Sequence, residues 1–162
     1  MEATASRTPL EDLPPSWHRP DLWLEEKAKD RPDKPAIIFG ERRITYRELW
    51  ERVARLGAGL TRTRVCPGDR IACLTTNHPA FLETYFASSR IGAIFVPLNF
   101  RLARAEIQFQ IEDAEPSVLI LGATHEDYPG AFLPGLRAKG LKIFRVEAGK
   151  ETGAPSYEEL FE

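Results

Sequence analysis

The chain has little of several things, and each scarcity narrows the reading. It holds two cysteines, Cys66 and Cys73, too few for a disulfide framework, and Cys73 sits in an apolar run that reads as a buried strand. A reduced, cytoplasmic setting is therefore expected. Its three histidines, His18, His78 and His125, lie far apart, and none has the spacing of a zinc site. Neither charge dominates: 22 Lys and Arg face 24 Asp and Glu, a formal net charge of −2, so neither nucleic acid nor a basic partner is expected. The longest apolar runs, such as Ile94–Leu98, are too short to cross a bilayer, so no transmembrane segment is expected. Residues Met1–Arg7 lack the basic-then-apolar order of a secretory signal. No G-x-x-x-x-G-K-[ST] phosphate loop occurs. Gly57-Ala58-Gly59 opens like a dinucleotide fingerprint, but Arg62 stands where the third glycine belongs, and the run falls at the end of a predicted helix. There is no G-x-S-x-G elbow either, and Ser88-Ser89 lies inside a predicted helix.

What is present is an alternation of strands and helices in a chain of 162 residues, about the length of one domain. Residues 1–20 carry Pro9, Pro14, Pro15 and Pro20 among polar residues and read as an extended N-terminal arm. Asp21 reads as the cap of a short helix that ends before Pro32, with Trp17 and Trp23 packed on the surface. Ala36–Phe39 and Ile44–Tyr46 read as strands about a turn at Gly40–Arg43. Thr45 and Glu48 have capping-box spacing, and Leu49, Val53, Leu56 and Leu60 then recur at helical intervals as one buried face. Cys66–Asp69 is a turn, and Arg70–Leu74 a strand of unbroken apolar character, which suits a sheet covered on both faces. Asn77 is placed to cap the next helix, with Pro79 in its first turn and Gly92 at its close. Further strands are predicted at Ile94–Leu98, Val118–Leu121 and Lys142–Val146. Helices are predicted at Arg104–Ala114, less regularly at Ala131–Lys139, and from Ser156 as cap. The order implies an α/β domain with a mainly parallel sheet flanked by helices.

Little in this pattern carries chemistry. Thr75-Thr76-Asn77 follows a strand and opens a helix, where backbone N–H groups can receive an anion, but without glycines capping is the better reading. The acid pairs Glu25-Glu26, Glu112-Asp113 and Glu158-Glu159 read as solvated helix faces. Arg42-Arg43, and the spaced Arg101 and Arg104, could hold phosphate, with surface charge as the default. No catalytic, cofactor-binding or metal residue is assigned.

Three stretches nevertheless share an order with a known family. Ile44-Thr45-Tyr46-Arg47-Glu48-Leu49 is similar to a "T-Y-x-E-L" strand-to-helix junction, and Pro67-Gly68-Asp69-Arg70-Ile71-Ala72 to a "G-D-x-V" entry into a strand. Gly92-Ala93 through Pro97-Leu98-Asn99 is similar to a "G-A-x-x-x-P-L-N" run, and Arg31–Ala36 to a "P-x-x-x-A" lead-in. In order and spacing, residues 20–162 resemble the N-terminal region of the adenylate-forming, AMP-binding superfamily. Asn99-Phe100-Arg101-Leu102 leans toward its acyl-CoA synthetase branch, including long-chain fatty-acid–CoA ligases.

The resemblance implies that the parent enzyme joins a carboxylate to the thiol of CoA through an acyl-adenylate, using ATP and Mg. It implies no catalytic, cofactor-binding or metal residue here, because the family's phosphate loop, ribose-binding Asp and catalytic Lys all come after the region seen. Residues 21–162 would then be an α/β N-terminal subdomain fragment of fatty-acid metabolism, inactive alone. Its partner would be the remainder of the parent chain, or a second copy in a homodimer. The competing expectation is a stand-alone, non-catalytic α/β module that binds another protein or a small phosphorylated ligand.

Overall fold

The computed structural model describes residues 19–122, 133–138, 140–146 and 154–162. Trp17, His18, His125 and nearly all of the expected arm lie outside them. Helix α1 (Pro20–Asp30) begins earlier than its sequence signal suggested. Arg19 takes the cap position and Pro20 the first turn. Asp21 is not the cap but a buried carboxylate inside the helix, 1% exposed. It accepts hydrogen bonds from Arg19 Nη2 at 2.7 Å and Ser89 Oγ at 2.7 Å. The proline explains the shift: its missing N–H is harmless at the first helical position, so the helix starts there.

Strands β1 (Pro35–Phe39) and β2 (Arg42–Thr45) pair as an antiparallel hairpin. Its turn is only Gly40-Glu41, and Arg42 and Arg43 belong to β2 rather than to the turn. Gly40 has φ +58°, which a glycine adopts freely. Thr45 caps α2 (Tyr46–Arg62) in the anticipated box: Glu48 N donates to Thr45 Oγ1 at 3.2 Å, and Thr45 N donates to Glu48 Oε2 at 2.7 Å. Leu49, Val53, Leu56 and Leu60 are all buried.

Four parallel strands make the main sheet in the order β4-β3-β5-β6: β3 (Arg70–Leu74), β4 (Ile94–Pro97), β5 (Val118–Gly122) and β6 (Lys142–Val146). Helix α3 (Pro79–Ile91) links β3 to β4, and Gly92 closes it at φ +73°. Helix α4 (Arg104–Ala114) links β4 to β5, and α5 (Leu133–Ala138) precedes β6. The cap of α3 is His78, not Asn77. Its Nδ1 accepts from Ala80 N at 3.1 Å, and its extended backbone (φ −124°, ψ 146°) is the one a residue before proline prefers. The predicted final helix is a single 3-10 turn, Tyr157–Phe161, capped by Ser156.

The unbroken apolar strands are explained by cover on both sides. Ile71, Cys73, Val118, Ile120, Phe144 and Val146 join a core with α1, α2, α3 and the 3-10 turn. Ala72, Leu74, Leu119, Leu121 and Ile143 pack with Ile107 and Ile111 of α4. Chain direction across the sheet reverses between β3 and β5, since β4 lies on one side of β3 and β5 on the other.

Candidate functional site: a groove at the carboxyl edge of the sheet

Open α/β sheets receive ligands and partners at the carboxyl ends of their strands. Here that edge holds a groove of about 560 Å³. It is lined by the loop Thr75–Pro79 that follows β3 and by Pro97–Phe100, the last residue of β4 and the three after it. The other walls are Ile37–Phe39 of the hairpin and Phe81 and Leu82 of α3. The hairpin is set against α3 by an edge-on contact of Phe39 with His78, ring centroids 5.1 Å apart. Thr75 is buried beside Gly122 at the end of β5. A Cβ on Gly122 would sit 3.2 Å from Thr75 Cα, so the glycine lets the two strand ends close up.

Thr75, Thr76 and Asn77, which follow a strand and open a helix, all come to this groove together with His78. This does not make them an anion site. Among the described residues no Lys, Arg, Asp or Glu lines the groove, and the first free N–H of α3 is already taken by the His78 side chain. A triphosphate, which needs cations or a glycine-rich cradle, does not fit these residues. Among the described residues there is also no group of three or more metal-ligating side chains. Arg42 and Arg43 line a separate hollow of about 200 Å³ with Glu48, Glu51, Arg52 and Arg55. Arg101 lies instead over the Phe100 ring, 4.8 Å from its centroid. Arg42 and Arg43 thus line a hollow that Arg101 does not.

A second constellation was invisible in the sequence. Glu83 of α3 is 1% exposed and is held by Arg52 of α2, at 2.6 Å to Oε1 and 3.1 Å to Oε2. Tyr157, also buried, donates its hydroxyl to Glu83 Oε2 at 3.0 Å. Arg52 reaches on to Glu158 at 2.9 Å and covers the Phe161 ring at 4.1 Å. Glu158 is thus an ion-pair partner rather than simply part of a solvated face. Burial pulls the Arg52 guanidinium toward neutrality, but hydrogen bonds and charge from Glu83 and Glu158 outweigh it, and its pKa stands above the ordinary value. Burial, then the Glu83 carboxylate, push the Tyr157 phenol well above its usual range.

Residues 157–161 are clasped onto α2 in further ways. Arg55 donates to Phe161 O from Nε at 3.0 Å and from Nη2 at 2.6 Å. At Gly59 a Cβ would fall 1.8 Å from Leu160 O, so only glycine admits the clasp there. Gly59 is thus a packing notch and not part of a nucleotide fingerprint. Every group in this constellation is satisfied by another, which is the signature of a structural lock.

Comparison with known proteins decides the family. Residues 24–155 match the AMP-binding enzyme family. The chain belongs to that family. It is 43% identical over 128 residues to a feruloyl-CoA synthase from an Amycolatopsis species, covering 79% of this chain and 25% of that protein. It is 36% identical over 140 residues to an indoleacetate–CoA ligase from Aromatoleum aromaticum, covering 86% and 27%. A solved Rhodopseudomonas palustris protein described as a long-chain-fatty-acid CoA ligase superposes with a TM-score of 0.80 at 34% identity, over 88% of this chain and 36% of that one. The anticipated resemblance is therefore correct, and the chain corresponds to the N-terminal region of the AMP-binding domain. It spans about a quarter of the length of the two CoA ligases matched by sequence.

Proposed function

We propose that this chain is the front part of an acid–CoA ligase and acts there as scaffold. In the parent, a carboxylate oxygen attacks the α-phosphorus of Mg-ATP and displaces pyrophosphate, leaving an acyl-adenylate. The thiol of CoA then attacks the acyl carbon, and AMP departs. Residues 21–162 supply a sheet, its helical cover and a groove, with residues 1–20 as an arm. They carry no catalytic or nucleotide-binding side chain, and ATP and CoA are held by the remainder of the parent.

The observation that carries this reading is the 43% identity to a feruloyl-CoA synthase of which the chain covers only 25%. The groove supports the division of labour, because phosphates bound there would find no counter-charge among the described residues that line it. No helix among the described residues is long and apolar enough to cross a membrane. We place the parent in the cytoplasm, where ATP and CoA are supplied. The relatives named for feruloyl and indoleacetate groups make aryl acids the first substrates to try, and the fatty-acid description of the structural relative makes long-chain acids the second.

The test is an assay of the full-length parent with ATP, Mg, CoA and a panel holding ferulate, indoleacetate and a long-chain fatty acid. Acyl-CoA and pyrophosphate should form with at least one acid class. Pyrophosphate release by the 162-residue chain alone would overturn the scaffold reading. A pure, folded parent that forms no thioester with any acid would overturn the ligase reading.

A further inference from the structure

Three apolar side chains exposed outside the groove form one face. Trp23 of α1 is 40% exposed, Tyr85 of α3 37% and Ile94 of β4 50%. Rings join them. Trp23 stacks on Phe86 at 6.3 Å between centroids, Phe86 meets Tyr85 at 5.2 Å, and Tyr85 meets Phe95, the neighbour of Ile94, at 5.6 Å. Single exposed apolar residues are ordinary on a protein surface, but a continuous aromatic face marks a place where something binds. We propose that its occupant is the N-terminal arm of this same chain, with Leu13-Pro14-Pro15 lying against Trp23 and Tyr85.

Composition and reach both favour the arm. It carries Pro9, Pro14 and Pro15, with Leu10 and Leu13 between the first and second of these. Proline-rich stretches favour the polyproline II helix, which docks on aromatic-lined surfaces at small entropic loss because it is stiff beforehand. Trp and Tyr suit that role, each offering a broad apolar ring with a polar edge. The point where the arm departs is also fixed beside this face. Arg19 caps α1 and its Nη2 donates to Asp21 at 2.7 Å, while Ser89 Oγ of α3 donates to the same carboxylate at 2.7 Å. Ser89 stands one turn after Tyr85 on the same side of α3. Trp23 lies about 6 Å along the helix axis from the Arg19 cap. Pro15 precedes that cap by four residues, so fully extended chain places it no further than about 14 Å away. Pro14-Pro15 therefore stays in the neighbourhood of Trp23, and the tether holds the segment there at a millimolar effective concentration. A second copy or a separate protein would have to find the face from solution; the arm begins next to it.

The test is hydroxyl-radical footprinting of the full-length protein, intact and with residues 2–16 removed, read peptide by peptide at Trp23 and Tyr85. If the tether supplies the segment at twice its Kd for the face, removal should speed oxidation of both rings by about threefold, the factor 1 + [L]/Kd. Trp50, which lies under the Arg90 guanidinium, should keep its rate. A synthetic peptide of residues 5–16, added at millimolar concentration to the shortened protein, should restore the slower oxidation. Unchanged rates at Trp23 and Tyr85 on removal would overturn the proposal, whether both stay slow under some other cover or both are fast on an open face. Slow oxidation of the intact protein that is lost on dilution would overturn it too, and assign the face to a second copy. If the shortened protein fails to fold, Leu13→Ser, Pro14→Ser and Pro15→Ser together in the intact chain make the same comparison. The proposal stands on residues of this chain rather than on the ligase reading. Acyl-CoA formation is not its readout, so either can fail while the other holds.

Discussion

Two faces of the first turns of helix α3 present opposite solutions to the same problem. On one face the groove leaves Ile38, Phe39 and Leu82 in contact with solvent and has no Lys, Arg, Asp or Glu among its described lining residues to organise it. Along its first turns, on the other face, Glu83 is sealed beneath Arg52 and Tyr157, and the clasp of residues 157–161 closes over it. One region has found its cover within this chain, from residues more than seventy positions away; the other has not. The difference shows how a buried charge constrains a fold. Glu83 would be very unfavourable uncovered, so its cover has to be close at hand, whereas an apolar groove tolerates waiting for a neighbour.

The comparison predicts unequal sensitivity to substitution, read most directly by urea unfolding of the chain. Arg52→Ala should be the most damaging, by about 3–5 kcal/mol, because it strands the Glu83 carboxylate in the core. A much smaller loss would mean that Glu83 takes up a proton or finds water, and that the closed region is looser than its hydrogen bonds suggest. Gly59→Ala comes next, at about 1–3 kcal/mol, since the new Cβ meets backbone rather than a flexible side chain. Its hydrogen-exchange signature is specific: protection should fall at Leu160 and Phe161 while that of β3 and β5 persists. Uniform loss would show that the clasp is not a separable unit.

Smaller effects follow from the groups whose titration the fold shifts. Tyr157→Phe removes one hydrogen bond to Glu83 and should be unfavourable by about 1 kcal/mol at neutral pH. Folding holds this phenol neutral with a raised pKa, so its contribution is intact below the unfolded value of about 10 and drains away above it. The alkaline loss of stability should therefore be shallower in the Phe variant. Thr45→Ala, at the base of the hairpin that walls the groove, should also be unfavourable by about 1 kcal/mol. Here the sign is opposite. The Thr45 backbone N–H, then its hydroxyl, lower the pKa of Glu48, so the box helps above the ordinary carboxylate range and fails as the pH falls through the lowered value. An unchanged acid limb in the variant would show that the Thr45 hydroxyl contributes nothing to it and that the backbone N–H, which alanine keeps, carries the effect.

How far these two regions were legible in the sequence follows from the range of the interactions that build them. Short-range signals were readable: the Thr45–Glu48 box, the Leu49-Val53-Leu56-Leu60 face, the Gly92 close, the continuous apolar strands and the family motifs at Pro67–Ala72 and Gly92–Asn99. Caps one residue beside a proline were misplaced at both Asp21 and Asn77, because the proline fixes the helix start more strongly than a good capping side chain does. Thr75–Asn77 and the two hairpin strands are each legible locally, but nothing local says that the hairpin lies against that loop to make a groove. Nothing local marks Arg52, Glu83 and Tyr157 as partners, since 31 and 74 positions separate them from one another. Glu158 reads as a surface acid until the clasp folds back onto α2. Gly59 carries its signal only when Leu160 is known to lie against it.

The smallest effect tests the open half of the comparison. Ile38→Thr keeps a β-branched side chain suited to a strand and removes apolar surface that this chain alone leaves 63% exposed. In the 162-residue chain it should shift stability by no more than about 0.5 kcal/mol, as surface substitutions usually do. If β1 is covered in the full-length parent, the same change there should be unfavourable by about 1 kcal/mol or more, because the methyl groups would leave a packed environment. Equal, small effects in both would mean that β1 stays wet in the parent. A large effect already in the short chain would mean that the groove side of the hairpin is covered by residues of this chain, and the contrast between an open and a closed face of α3 would fall.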